Sequence, residues 1–402
     1  MSKRSLQIIN GQVITPFEIV RNASVLIRDG RVDAIFPDNR ALPDVLTIDA
    51  AGRFVSPGFI DLHVHGGGGH DFMDGEVEGF QQIAQLHARH GTTAMVPTSL
   101  TSTGEQLLHL LRIYEEASRY TDKGATFLGM HLEGPYFAMN QRGAQDPRYI
   151  RDPDPSEYEA ILEYSHLIAR WSAAPERKGA LDFGRRLREK GILAAIAHTD
   201  AVYEEVLEAI EAGYSLSTHL YSGMSGVTRK NAYRFAGVIE SSLLLDALDV
   251  EIIADGVHLP APLLKLIYKV KGPEKIALIT DAMRGAGMLE GESILGHKDD
   301  GLKVIIEDQV AKLPDRSSFA GSVATADRLL RTMIGMADVP LLEAVKMISQ
   351  TPARIMGIGH KKGAIRRGMD ADIVLFDADI RVSLTLVEGR LVYSEASEEI
   401  SQ

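Results

Sequence analysis

Eight short apolar runs, each followed by a stretch with helical character, fill the middle of this 402-residue chain. They fall at residues 59–62, 93–96, 126–129, 167–171, 193–197, 214–218, 250–254 and 276–280. The segments between them carry helix-like patterns, as at 202–212 and 262–271. Runs of this length alternating with helices read as parallel strands, because a parallel pair needs a crossover and the helix covers the face of the sheet. Eight such units within about 300 residues predict an α/β protein with a (β/α)8 TIM barrel. A doubly wound open sheet is the alternative arrangement of the same units.

The two ends of the chain read differently. Val25-Leu26-Ile27 and Val32-Asp33-Ala34-Ile35 flank Arg28-Asp29-Gly30-Arg31. Asp-Gly between apolar runs signals a tight hairpin, since glycine accepts the positive φ of the turn. Near the other end, 371–376 reads as a strand, and 384–387 with 391–393 as a hairpin around Glu388-Gly389. These ends predict a small β-sandwich domain built from residues 1–57 plus 362–402. The barrel then occupies 58–361.

Composition narrows the chemistry. The chain has no cysteine, which excludes disulfide scaffolds, thiolate metal sites and cysteine nucleophiles. Any metal must be held by nitrogen and oxygen. A net charge of -12 argues against nucleic acid as a partner. Apolar runs such as 243–245 are short, and Met1-Ser2-Lys3-Arg4-Ser5-Leu6 lacks the apolar stretch of a leader. A membrane partner is therefore not expected, and the cytoplasm is the expected location.

Six polar side chains stand where the predicted strands end. His63 and His65 follow the first strand, Glu133 the third, His198 the fifth, His219 the sixth and Asp281 the eighth. Active sites of such barrels lie at the C-terminal ends of the strands, so these side chains should converge. One histidine after a strand is commonly a cap or a hydrogen-bonded core residue; joint placement at five strand ends is what carries the reading. His63 and His65 are alternate residues and share a face. Imidazole with carboxylate suits zinc or iron, with manganese, cobalt or nickel as further fits. Six ligands exceed the three that one catalytic zinc requires. One or two divalent ions per subunit are expected, Glu133 bridging a pair about 3.5–4 Å apart in the second case. His87, His90, His109 and His166 fall in helical or linker contexts and read as structural or solvated. His131 reads equally as core or as a support to the site.

The motifs now resemble a known family. Pro57-Gly58-Phe59-Ile60-Asp61-Leu62-His63-Val64-His65-Gly66 resembles the opening metal motif of the amidohydrolase superfamily. Lys362-Gly363-Ala364-Ile365-Arg366-Arg367-Gly368-Met369-Asp370-Ala371-Asp372-Ile373 resembles its closing segment. His131-Leu132-Glu133-Gly134-Pro135, His198-Thr199-Asp200-Ala201, Thr218-His219-Leu220-Tyr221, Ala254-Asp255-Gly256-Val257-His258, Thr280-Asp281-Ala282-Met283 and Ala320-Gly321-Ser322 are similar, in order, to those of N-acetylglucosamine-6-phosphate deacetylases. That resemblance implies a homodimer acting on an amino-sugar phosphate. It gives Glu133, His198 and His219 to the metal present throughout the family, His63 and His65 to a second ion, and Asp281 to acid-base catalysis. It puts Gln145, beside Ala144, at the acetamido group, His258 near the phosphate, and Phe319, Ala320 and Gly321 along the sugar. Tyr221-Ser222-Gly223-Met224 stands where the family commonly reads Tyr-Asn-Ala-Met. Ser222 and Gly223 therefore face the phosphate side with a shorter side chain. The resemblance implies a basic residue of the next segment, supplied across the dimer to the phosphate; Arg229, Lys230 and Arg234 are the basic residues of that segment, and Lys230 is taken as the candidate.

The chemistry implied is hydrolysis of an N-acetyl amide, with Asp281 accepting a proton from the attacking water and returning it to the leaving nitrogen. No Gly-x-Ser-x-Gly elbow is present, and no protein nucleophile is needed. Cyclic-amide hydrolases of the same superfamily usually carry a bridging lysine after strand four; here that segment is Ser172-Ala173-Ala174-Pro175-Glu176. A deacetylase of a related N-acyl amino sugar and a non-catalytic sugar-phosphate sensor compete with the main reading.

Overall fold

The computed structural model describes residues 5–120 and 122–396. Residues 1–4, part of the segment read for a leader, and 397–402, the far end of the terminal unit, lie outside the described residues. The eight main strands, called first to eighth here, are Phe59–Val64, Thr92–Pro97, Met130–Glu133, Ile168–Ala173, Leu193–Ile196, Tyr214–Ser217, Asp249–Ile253 and Ile276–Ile279. Neighbours pair in parallel and in sequence order, with Thr98–His131 bridging the second to the third. A bridge between Val64 and Ala282, just past the eighth strand, brings the pairing back to the first. Most of these strand residues are buried on both faces, which is why they read as continuous apolar runs.

The third strand departs from expectation. The predicted run 126–129 contributes only Thr126–Phe127, and the strand that carries the site begins at Met130. Gly129 separates the two pieces at φ 113°. A Cβ there would stand 2.7 Å from the Ala169 side chain, so only glycine permits this close passage. Glu133 therefore ends the strand rather than following it.

The helices cover the strands by their apolar stripes. Val77–Arg89 buries Phe80, Ile83, Ala84, His87 and Ala88, an i, i+3, i+4, i+7, i+8 face. Strands from both ends of the chain join in one eight-stranded sheet. Both predicted hairpins form, with Asp29 and Gly30, and Glu388 and Gly389, at positive φ. One element was not anticipated: an antiparallel sheet of Gly291–Leu295, Leu302–Glu307, Val310–Lys312 and Phe319–Ser322, after the eighth strand. Its central turn is Asp308-Gln309, both at positive φ, so the glycine signal that marks the other hairpins is missing.

Candidate metal centre

His198, His219 and Asp281 each lie two residues beyond the fifth, sixth and eighth strands, with φ of 46°, 31° and 48°. Left-handed backbone costs such residues of order 1 kcal/mol each and persists only where surroundings impose it. Hydrogen bonds do so here: the Asp281 N–H donates to the His63 carbonyl (2.9 Å), and the Ser322 N–H to the Asp281 carbonyl (2.8 Å). Each turn carries its side chain to one point at the strand ends.

That point is the Glu133 carboxylate. Its Oε1 lies 3.3 Å from His198 Nε2, 3.0 Å from His219 Nε2 and 3.5 Å from His63 Nε2. Its Oε2 lies 3.4 Å from His65 Nε2. Asp281 Oδ1 lies 3.1 Å from His65 Nε2 and 3.4 Å from His63 Nε2. All six side chains are buried. The six side chains named from the sequence thus lie together, and Glu133 belongs to two groups that could hold a metal ion: His63, His65, Glu133 and Glu133, His198, His219.

The imidazoles are prepared for ligation. His198 Nδ1 donates to the Gln141 carbonyl (2.8 Å) and His219 Nδ1 to the Ser222 carbonyl (3.1 Å). With the proton held on Nδ1, the Nε2 lone pair faces the cluster. A buried nitrogen and oxygen donor set of this kind fits a divalent ion of the zinc or iron type. Gln145 bridges the wall: its amide donates to Glu133 Oε2 (2.6 Å), and its carbonyl accepts from the Thr101 N–H (2.8 Å).

Charge explains the protonation pattern. Burial opposes the charged form of Glu133, but His63, His198 and His219 hold it well below the usual carboxylate range. Burial also opposes a charge on Asp281, and again His63 and His65 outweigh it and lower the carboxyl. His63, whose burial disfavours a proton, is nonetheless raised to about 10 by Glu133 and Asp281.

Beneath the cluster lies a layer that sequence reasoning missed. Arg170 and Glu251, both fully buried, form an ion pair. Arg170 also donates to Thr218 Oγ1 (2.9 Å) and to the Leu62 carbonyl (3.2 Å). His131 Nε2 bonds Ser172 Oγ at 2.7 Å and its ring meets that of His63 edge-on at 4.7 Å, so it supports the site. The available signal was a charge inside an apolar strand run, as in Val250-Glu251-Ile252.

One cavity of about 560 Å³ opens over the cluster. Ala144, Gln145, Ser222, Gly223, His258, Phe319 and Gly321 all line it. Ala320 does not; strand alternation turns it into the apolar core of the inserted sheet. Lys230 does not either. With Arg229 and Arg234 it lies on the exposed hairpin of Thr228–Lys230 and Tyr233–Phe235. His258 is oriented by Asp255, whose Oδ2 accepts from its Nδ1 at 2.8 Å, and packs against Phe319 at 4.7 Å between ring centroids.

Parallel strands ending in a buried cluster of histidines and carboxylates that could hold a metal ion fit a metal-dependent hydrolase. Residues 54–398 match the amidohydrolase family, and the chain belongs to it. The chain is 33% identical over 393 residues to an N-acetylglucosamine-6-phosphate deacetylase of Lysinibacillus sphaericus, covering 96% of this chain and 97% of the relative. It is 31% identical to an N-acetylgalactosamine-6-phosphate deacetylase of Escherichia coli O157:H7, covering 91% of this chain and 93% of the relative. Among solved structures it resembles a mutant N-acetyl-D-glucosamine-6-phosphate deacetylase of Mycobacterium smegmatis in complex with N-acetyl-D-glucosamine-6-phosphate. That match has a TM-score of 0.88 and 30% identity, and covers 97% of this chain and all of the other. Within the amidohydrolases, the chain's place is with the N-acetylglucosamine-6-phosphate deacetylases.

Proposed function

We propose that this protein hydrolyses N-acetylglucosamine 6-phosphate to glucosamine 6-phosphate and acetate. The observation that carries the reading is the placement of Asp281 Oδ1 beside His65 Nε2, 3.1 Å away, in the cavity that also holds Glu133, His198 and His219. Full-length relatives named for this reaction support it.

Glu133, His198 and His219 would hold one divalent ion, and His63 and His65 a second that shares Glu133. Zinc or iron suits these donors best, with manganese, cobalt or nickel also compatible. When bound, such an ion supplies Lewis-acid activation of water and of the amide carbonyl at neutral pH. Asp281 starts ionised, takes the proton of the attacking water, and delivers it to the nitrogen as the C–N bond breaks. Gln145 and His258 line the cavity and would contact the acetamido group.

A second reading, N-acetylgalactosamine 6-phosphate as substrate, is favoured by the 31% identical relative. The cyclic-amide reading is weaker: Glu176, after the fourth strand, is engaged by the Thr199 hydroxyl (2.6 Å) and the Asp200 N–H (2.7 Å), and Glu133 takes the shared position. The test is acetate release from each 6-phosphate epimer by metal-loaded and chelated protein. Loss on chelation and recovery with added zinc, iron, cobalt or manganese is expected. Full activity in protein shown metal-free by elemental analysis would sink the mechanism.

The parallel unit is best described as a (β/α)8 barrel over 58–361. Residues 1–57 and 362–402 then form a small β-sandwich domain. Alternate residues from both halves of the terminal sheet, such as Ile8, Val25, Ile373 and Leu386, share one apolar core, as a sheet folded on itself requires. We further propose a cytoplasmic homodimer; Tyr233, 76% exposed on the hairpin after the sixth strand, supports a self-association surface there. Among the described residues, no helix is long and apolar enough to cross a membrane.

A further inference from the structure

The segment 138–145, beyond the third strand, touches the cluster twice. Its Gln141 carbonyl accepts from His198 Nδ1 (2.8 Å), and its Gln145 amide donates to Glu133 Oε2 (2.6 Å). The tip between them, Met139–Gln141, is one short helical turn with no buried side chain, so apolar packing does not hold it. A main-chain bond fastens its start, where the Ala138 N–H donates to the His198 carbonyl (2.8 Å). The rest of the hold comes from Asp200: its Oδ1 accepts from Gln141 Nε2 at 2.7 Å and its Oδ2 from Asn140 Nδ2 at 3.2 Å. We propose that Asp200 is a positioning residue for the metal centre, gripping Asn140 and Gln141 so that the Gln141 carbonyl stays on His198. This rests on the reading of Glu133, His198 and His219 as ligands, and gives a task to a residue that the sequence motif contains without one.

Asp200 is itself fixed from the other side. Glu176 Oε1 accepts from the Asp200 N–H at 2.7 Å, and Glu176 Oε2 from the Thr199 hydroxyl at 2.6 Å. Gly223 closes the remaining side: its carbonyl accepts from the Thr199 N–H at 3.0 Å. A Cβ on Gly223 would stand 2.8 Å from the Gln141 carbonyl oxygen and 2.8 Å from His198 Nδ1. The contact between that carbonyl and the ring therefore has little slack. Because Glu176 and Gly223 hold the backbone of the turn, truncating the Asp200 side chain releases the tip and leaves the turn in place.

The consequence falls on His198. A carbonyl at Nδ1 keeps the proton there and the Nε2 lone pair toward the cluster; without it the ring is free to turn and to exchange tautomers. Loss of such an outer partner typically costs about 10–100-fold in metal affinity. The grip works through acceptor geometry. Asn at position 200 keeps one carbonyl oxygen for Gln141 Nε2, and the exposed Asn140 amide can turn its own oxygen toward the new NH2. A through-space effect of the Asp200 charge on a dication would instead be lost equally in Asn and Ala.

The test uses the full chain and the variants Asp200→Ala, Asp200→Asn, Gln141→Ala, and Asp200→Ala with Gln141→Ala. Each is freed of metal and titrated with zinc against a competing chelator. Asp200→Ala and Gln141→Ala should each weaken zinc binding about 10-fold or more. Their double should lose no more than either single, since both remove one contact, and Asp200→Asn should stay near wild type. Nitrogen NMR of the histidine rings in metal-free protein adds a direct readout. Solvent exchange of the His198 Nδ1 proton should quicken in the two Ala variants and not in Asp200→Asn. Urea midpoints of the metal-free variants should change little. Unchanged zinc affinity in Asp200→Ala, equal losses in Ala and Asn, additive losses in the double, or a urea midpoint that falls in step with zinc affinity would each overturn the assignment. Wild-type protein that binds no zinc would overturn the ligand reading instead, and ring-proton exchange in metal-free protein would still decide the grip.

Discussion

Asp281 stays ionised in a buried place because two imidazole nitrogens lie 3.1 and 3.4 Å from one of its oxygens. Asn at this position keeps the shape but cannot take a proton. General acid-base catalysis is worth about 10²–10⁴-fold, so Asp281→Asn should lower kcat at least about 10²-fold. Elemental analysis should find the Glu133, His198 and His219 metal retained; near wild-type kcat with unchanged metal would make another residue, His258 first, the proton carrier. The two ligand groups predict a second contrast. Glu133→Ala and His198→Ala should lose metal and activity together, and His63→Ala should lose less of both. Equal loss of metal in all three would mean one ion bound by a different set. The candidate residues were readable because each stands at or near the end of an apolar run in the chain. Gln141 and Ser222, whose carbonyls set the histidine tautomers, were not: any residue has a carbonyl, and His198 meets one 57 positions away.

At the scale of elements, the helix Val77–Arg89 braces the loop that carries His65. His87, fully buried on that helix, lies 3.0 Å from the Gly66 carbonyl through Nε2. Burial pushes its pKa from 6.5 down to about 4, against the pull of that hydrogen bond. The unfolded chain therefore takes up a proton below 6.5 that the folded protein refuses until about 4. Stability should fall as pH drops through this window, by at most about 3 kcal/mol from this group. His87→Gln has no such titration, so its urea midpoint should vary less with pH between 7 and 4 than that of wild type. Parallel curves would assign the acid sensitivity elsewhere. The helix itself was expected from its periodicity. The inserted sheet was missed because its turn is built from Asp308-Gln309, and the third strand was misplaced because Gly129 divides one apolar stretch into two pieces.

Over the whole molecule, a buried charge of the terminal segment stands where that segment meets the parallel unit. Lys362 Nζ lies 2.8 Å from Asp372 Oδ2, 3.1 Å from Asp370 Oδ2 and 3.4 Å from Glu388 Oε1, while the Asp372 carbonyl accepts from the Gly58 N–H at 2.8 Å, where the first strand begins. Removing one partner of such a cluster leaves carboxylates uncompensated, so Lys362→Met should cost about 3–5 kcal/mol in urea unfolding. Lys362→Met with Asp372→Asn should cost less than the two single changes summed; strict additivity would show that Lys362 acts through packing alone. The sequence by itself determined the alternation of strands and helices, the order of the polar residues that meet at the strand ends, and the hairpins marked by Asp29-Gly30 and Glu388-Gly389. Those depend on periodicity and on neighbours in the chain. Which cations face the cavity was decided only by tertiary structure: Lys230 and Arg234 sit on an outward hairpin, whereas Lys312 and Arg316 line the cavity. A charge cluster reads alike in sequence wherever it points, and only the packing of one loop against another gives it a direction.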